Sequence, residues 1–283
     1  MTGTPTNAAR AERFRALHSS GCFVLPNAWD AGSARLLASL GPVALATTSA
    51  GAAWTLGRRD GALAKREALD NARAILAETD LPVSADFEDG YGPAPEDCAA
   101  TVRAAAAAGL SGCTIEDTTG DAAAPIHGFD AAVARVRAAV AAARSAPHPF
   151  VLTARAENFL HGRADLDDTI RRLVAFAEAG ADCLYAPGLP DLDAIRKVVA
   201  AVAPRPVNVL LGPRSGLVPL EVLAAAGVRR VSVGGAIARV AYGQALEYGR
   251  ALLAGNLPHF AAAPAHAAIN GLMRGRDAAT PAP

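Results

Sequence analysis

Three acidic side chains at the ends of two apolar runs are the residues best placed to do chemistry. Asp86 and Glu88 stand in Pro82-Val83-Ser84-Ala85-Asp86-Phe87-Glu88-Asp89-Gly90-Tyr91-Gly92, and Glu116 closes Cys113-Thr114-Ile115-Glu116. Each run reads as a buried strand that ends in carboxylates. Asp86 and Glu88 are two apart, so on an extended chain they face the same way. Two unit charges ~4 Å apart at an effective dielectric of ~20 repel by about 4 kcal/mol. Converging carboxylates therefore call for a cation. A hard divalent ion with oxygen ligands is the natural one, most simply Mg²⁺, with Mn²⁺ as its stand-in.

The elements that must position these acids repeat along the chain. Short apolar runs at 22–25, 43–47, 82–86, 111–115, 150–154, 182–186, 206–210 and 229–233 read as strands. Ala/Leu/Arg-rich helical patterns at about 31–40, 61–79, 95–108, 130–144, 166–179, 191–202, 217–226 and 236–253 follow them. Strands alternating with helices imply a parallel sheet, and eight such units imply one closed (β/α)₈ barrel of the TIM type over the 283 residues. A doubly wound open sheet is the alternative. Glycines at Leu40-Gly41-Pro42, Ala108-Gly109-Leu110, Ala179-Gly180-Ala181 and Ala226-Gly227-Val228 sit where a helix must stop before a strand. Extra helices are expected at 10–20 and 260–275, with disordered tails at about 1–9 and 276–283.

Barrels of this kind carry their sites at the C-terminal ends of the strands. Those ends supply Asn27, Trp29 and Asp30; Thr47 to Gly51; Asp86 and Glu88; Glu116 and Asp117; Arg155, Glu157 and Asn158; Tyr185; Asn208; and Gly234 with Gly235. Arg155 is a fixed bidentate fork suited to a carboxylate or enolate oxygen, or to pairing with Glu157 or Glu116. The stretch Thr47-Thr48-Ser49-Ala50-Gly51 reads as a turn whose hydroxyls and N–H groups can hold an acid group. Asp117 reads equally as a partner for an arginine. Asp97 and Asp130 read as helix caps or first-turn residues, and Asp60, by itself, as a helix cap.

Composition excludes several classes. The formal net charge is +0, which leaves no electrostatic footprint for nucleic acid or an anionic membrane surface. Apolar runs are short and interrupted, so no span is expected, and residues 1–10 lack the apolar stretch of a signal peptide. Cys22, Cys98, Cys113 and Cys183 are scattered without metal-ligand spacing and fit a reducing cytoplasm. Lys65 and Lys197 both fall inside helices, which disfavours a Schiff-base mechanism.

The order of motifs resembles the isocitrate lyase/phosphoenolpyruvate mutase superfamily from about Leu25 to Gly235. The motifs are Pro26-Asn27-Ala28-Trp29-Asp30, Thr48-Ser49-Ala50-Gly51, Gly57-Arg58-Arg59-Asp60, Asp86-Phe87-Glu88-Asp89-Gly90-Tyr91-Gly92, Ile115-Glu116-Asp117, Ala154-Arg155-Ala156-Glu157-Asn158 and Glu178-Ala179-Gly180-Ala181-Asp182. The resemblance implies a Mg²⁺-dependent barrel that cleaves or forms C–C or P–C bonds in small 2-oxo or 2-hydroxy acids. It implies Asp86 as the direct metal ligand, Glu88 and Glu116 holding the metal through its waters, and Asp60 in the same acidic set. Thr48, Ser49 and Ala50 would bind the substrate's acid group, and Arg155 the reacting oxygen. A homodimer or homotetramer with exchanged terminal helices is also implied.

The chain departs from that pattern at Glu88, where the family usually has aspartate. It also departs in the loop Thr118-Thr119-Gly120-Asp121-Ala122-Ala123-Ala124-Pro125-Ile126-His127-Gly128-Phe129, which has neither the cysteine of the lyases nor a lysine. His127 is that loop's one side chain with a pKa near neutrality, hence a candidate proton donor or an ordinary loop histidine. The expectation is a Mg²⁺-dependent lyase, mutase or decarboxylase of a small 2-oxo acid that works through an enolate. Trp29, Trp54, Tyr185 and the 118–129 loop would shape the pocket. The alternatives are a sugar-phosphate barrel using Leu211-Gly212-Pro213 and Gly234-Gly235-Ala236, and a metabolite-binding protein without turnover.

Overall fold

A computed structural model describes residues 5–212 and 217–273. Residues 1–4 of the expected N-terminal tail, the expected tail at 276–283, and Pro213 of the Leu211-Gly212-Pro213 turn lie outside them. Among the described residues nine short parallel strands make eight staves, because the first is broken at Pro26 into Phe23–Leu25 and Asn27–Ala28, together β1. The others are β2 (Leu45–Thr47), β3 (Val83–Asp86), β4 (Gly112–Glu116), β5 (Val151–Arg155), β6 (Cys183–Tyr185), β7 (Val207–Leu210) and β8 (Arg230–Ser232). The first half of β1 pairs with β8 and the second half with β2, so the barrel closes through the interrupted stave. Proline has no N–H to give to a ladder, which is why the break falls there. Asn27 repairs it. Its Nδ2 donates to the Thr47 carbonyl at 2.8 Å, and its Oδ1 accepts from the N–H groups of Val233 and Gly234 at 3.0 Å each.

The barrel, as expected, is ringed by helices whose apolar faces form one core with the strands. Ile75, Leu110, Ile115, Leu152, Leu173, Phe176, Leu184 and Ile195 are fully enclosed there. Each such side chain contributes roughly 1.5–3 kcal/mol of burial. Helix ends are set by local chemistry. Asp165 and Asp191 accept the backbone N–H three residues on. Gly180 (φ 104°) and Gly227 (φ 89°) supply the left-handed residue past a helix. Asp97 accepts from the N–H of Ala94, and Asp130 lies in a first helical turn.

Helices expected at 61–79 and 217–226 are shorter, Lys65–Ala77 and Leu220–Ala225, and three further differences stand out. The leading helix runs Asn7–Leu17, capped by Thr6, so residues 7–9 are helical rather than a loose tail. The segment after β2, read as a turn, is a helix, Ser49–Thr55, with Thr48 as its cap. At the C-terminal end, Ala236–Leu253 is followed by a 3₁₀ turn, Leu257–Ala262, and a short helix, His266–Met273. No helix among the described residues is long and apolar enough to cross a membrane.

Candidate active site

The strand ends converge as the spacing demanded. Asp86, the last residue of β3, is held by neighbours on both sides. Its Oδ1 accepts from Thr114 Oγ1 at 3.2 Å and Arg155 Nη1 at 3.0 Å, and its Oδ2 accepts from Ser49 Oγ at 3.0 Å. Thr47 fixes the backbone by accepting the Asp86 N–H at 2.9 Å. Glu116 accepts from Thr118 Oγ1 at 2.7 Å and lies 3.0 Å from the same Arg155 Nη1. Arg155 Nε donates to Glu157 at 2.8 Å, and the guanidinium stacks 5.1 Å from the centre of the Tyr185 ring. Nη1 and Nε are thus occupied, while Nη2 has no protein hydrogen-bond partner among the described residues.

Acid outweighs base at this point. Asp86, Glu116 and Glu157 meet a single guanidinium, and Glu88 adds a fourth carboxyl within the field of Asp86 and Glu116. Glu88 shows the imbalance most directly, since its Oε1 is buried and lacks a hydrogen-bond partner. Burial first, then the charges of Asp86, Glu116, Asp60 and Asp89, push its carboxyl up to about 8. Its backbone is held at φ 46°, and Tyr91 in the same loop at φ 62°, conformations that cost a non-glycine residue on the order of 1–3 kcal/mol. Burial and Asp86 also raise Asp60, and burial raises Glu116 against the pull of Arg155. Among the described residues no three His, Cys, Asp or Glu side chains form a ready-made metal-ligand set. An ion held by Asp86 directly and by the glutamates through water does not require one.

Two adjoining cavities meet at Ser49, Asp60 and Arg155. The smaller, about 190 Å³, runs into the barrel past Asp86, Tyr185 and Asn208; Thr48 and Ala50 also line it. The larger, about 590 Å³, lies under the 118–129 loop beside Glu88, Glu116, Tyr91 and His161.

Other candidates serve the scaffold. Trp29 and Gly51 pack together outside both cavities; a Cβ on Gly51 would sit 2.5 Å from that of Trp29. Asp30 caps the helix Ala31–Ala38. Asp117 takes the arginine-partner alternative. It accepts from Arg172 Nη1 at 3.0 Å and from the Glu157 N–H at 2.9 Å. Trp54 stacks edge-on with Tyr242 rather than lining either cavity. His127 lines neither cavity, and burial followed by Arg135 lowers its pKa. Its Nε2 is buried without a hydrogen-bond partner, outside both cavities. Four polar residues that line the smaller cavity escaped the strand-end survey: Ser84, Thr114, Arg230 and Ser232 lie within strands, with Arg230 and Ser232 two apart on one face.

The model of the phosphoenolpyruvate phosphomutase family matches residues 14–253. The chain belongs to this family. A solved structure of a Burkholderia cenocepacia J2315 protein, provisionally named a lyase/mutase, is 52% identical with a TM-score of 0.92, covering 96% of this chain and 98% of that one. An oxaloacetate decarboxylase of Rhodopseudomonas palustris is 33% identical over 75% of this chain and 74% of its own. The structure of an oxaloacetate acetylhydrolase with its product oxalate is 27% identical, with a TM-score of 0.86 and 94% of each chain covered. As a family member the chain is an enzyme of the lyase/mutase type that acts on small acids, which sets aside a metabolite-binding protein without turnover.

Proposed function

We propose that this enzyme is a Mg²⁺-dependent carbon–carbon lyase that cleaves a small 2-oxo dicarboxylic acid of the oxaloacetate kind. The observation that carries the reading is the excess of carboxylate over guanidinium at the barrel mouth, with one buried glutamate oxygen left unpaired. That donor set fits a hard cation, with Asp86 as its direct ligand and Glu88 and Glu116 behind it. Bound there, Mg²⁺, or Mn²⁺ in its place, would act as a Lewis acid toward the substrate's carboxylate and 2-oxo oxygens.

The chain's own residues supply the rest. The Thr48–Ala50 segment lines the smaller cavity and receives the acid group. For oxaloacetate, as the C3–C4 bond breaks its carboxylate leaves as CO₂, the bond's electron pair moves onto the 2-oxo oxygen as an enolate, and a proton from water then returns to C3. Arg155 already sits beside that position, clamped by three carboxylates, so it stabilises the new charge without reorganising. Asp60, on the rim of both cavities, belongs to the same acidic set. The absence of lysine and cysteine from residues 118–129 favours C–C cleavage of this kind over phosphonate rearrangement or methylisocitrate cleavage.

We further propose a homodimer or homotetramer in the cytoplasm. The helix His266–Met273 buries no residue, and Val240, Leu246 and Leu253 are exposed on the preceding helix, which suits a second copy of the chain. The four free cysteines suit a reducing compartment. For the activity, metal-stripped protein with and without added Mg²⁺ is offered oxaloacetate, phosphonopyruvate, methylisocitrate and alkylmalates, and products are followed by proton and phosphorus NMR. The expected result is Mg²⁺-dependent consumption of oxaloacetate. Turnover that survives chelation, or that touches only the phosphonate, would contradict the reading.

A further inference from the structure

Arg230 is a buried cation whose partners are all neutral. In β8 it is 1% exposed. Its Nε donates to Asn208 Oδ1 at 2.8 Å, its Nη2 to Thr153 Oγ1 at 2.9 Å, and its Nη1 to His18 Nε2 at 3.2 Å. His18 closes the barrel from below. Its Nδ1 donates to the Phe14 carbonyl at 2.8 Å, and burial and Arg230 together lower its pKa to about 3, so it stays a neutral acceptor. The guanidinium is therefore locked in place. It borders the smaller cavity together with Asn208, Ser232 and Tyr185.

A guanidinium can only donate. That fact gives the hydrogen bonds above it a direction. Because Oδ1 of Asn208 faces Arg230, its Nδ2 must point the other way, and it donates to Ser232 Oγ at 2.9 Å. Ser232, having accepted, has one hydrogen to give, and Tyr185 lines the same cavity. We propose that Arg230 is a positioning residue: it directs the chain Asn208–Ser232–Tyr185 so that the Tyr185 hydroxyl presents its hydrogen to the cavity and donates to a carboxylate oxygen of the bound acid. The buried charge at the base polarises each link toward that donor. Burial raises the Tyr185 phenol above its ordinary value, which keeps the proton in place. Tyr185 thereby becomes a specificity-determining residue for an acid group, beside the Arg155 it stacks against.

The inference rests on the acid-binding reading of the cavity, and its test is chosen to separate the two. Oxalate binding is measured by calorimetry in the presence of Mg²⁺, for the wild type, Tyr185→Phe, Arg230→Met and the double variant. Loss of a hydrogen bond to a charged group predicts about 10-fold weaker binding for Tyr185→Phe. Arg230→Met should weaken it similarly, and the double variant should be no weaker than either single one. If Arg230→Met does not fold, Ser232→Ala breaks the same chain without leaving a charge behind. Its cycle with Tyr185→Phe should show the same lack of additivity. Unchanged affinity in Tyr185→Phe, or multiplicative losses of roughly 100-fold in the double variants, would overturn the proposal while leaving the acid site standing. A wild type that binds no oxalate would overturn the acid site and this inference with it.

Discussion

The mouth of the barrel and the polar clusters packed behind and below it use the same side chains in opposite ways. Asp117, one residue beyond β4, has a partner for each oxygen: Arg172 at 3.0 Å and the Glu157 N–H at 2.9 Å. Arg172 in turn holds Asp168 and the His127 carbonyl, so charge and hydrogen bonds close on themselves. Glu88, two residues beyond β3, has a buried oxygen with no partner. Both are carboxylates after a barrel strand. The satisfied one braces the scaffold, and we propose that the unsatisfied one helps to hold a cation.

Breaking the satisfied cluster should have the largest effect on the fold. Asp117→Ala takes one of two carboxylates from the buried Arg172 and the acceptor from the Glu157 N–H, and denaturant unfolding should show a loss of about 3 kcal/mol. The floor comes next. His18 keeps its neutral form down to about pH 3 when folded but titrates near 6.5 when unfolded, so the unfolded chain binds more protons between those values. Its contribution is present above about 6.5 and is lost as the pH falls. Stability should drop by about 2 kcal/mol between pH 7 and pH 5, and His18→Gln should remove that slope.

The mouth should respond in the reverse sense. Glu88→Gln removes the cost of holding a buried carboxyl beside Asp86 and Glu116, so metal-free protein should melt no lower than wild type. Mg²⁺ affinity should fall roughly 10-fold, as for other groups that act through bound water. His127→Asn should have the smallest effect, because its ring lines neither cavity. Steady-state turnover of oxaloacetate should stay within about twofold. A loss of 100-fold or more would return His127 to the site.

The comparison also explains what the sequence made legible. Eight strands, their order and the convergence of Asp86, Glu116 and Arg155 follow from period and from strand ends, since β3, β4 and β5 are neighbours in register. The helix Ser49–Thr55 did not follow, because seven residues with a glycine third in the run carry no readable helical period; Gly51 is needed there for contact with Trp29. Asp117 and Glu116 are adjacent and alike, and only the distant Arg172 and Arg155 decide their roles. Arg230 was hidden for the same reason: its partners His18 and Thr153 lie 212 and 77 residues away. Local pattern reveals where a carboxylate stands, while long-range pairing decides whether it is available.

The most direct test of that distinction is Mg²⁺ binding itself. Calorimetric titration of metal-stripped protein should show one Mg²⁺ per chain in the wild type. Binding should be lost in Asp86→Ala and retained in Asp117→Asn. A wild type that binds no Mg²⁺, or an Asp86→Ala variant that binds it as tightly as wild type, would contradict the assignment of the barrel mouth as a metal site.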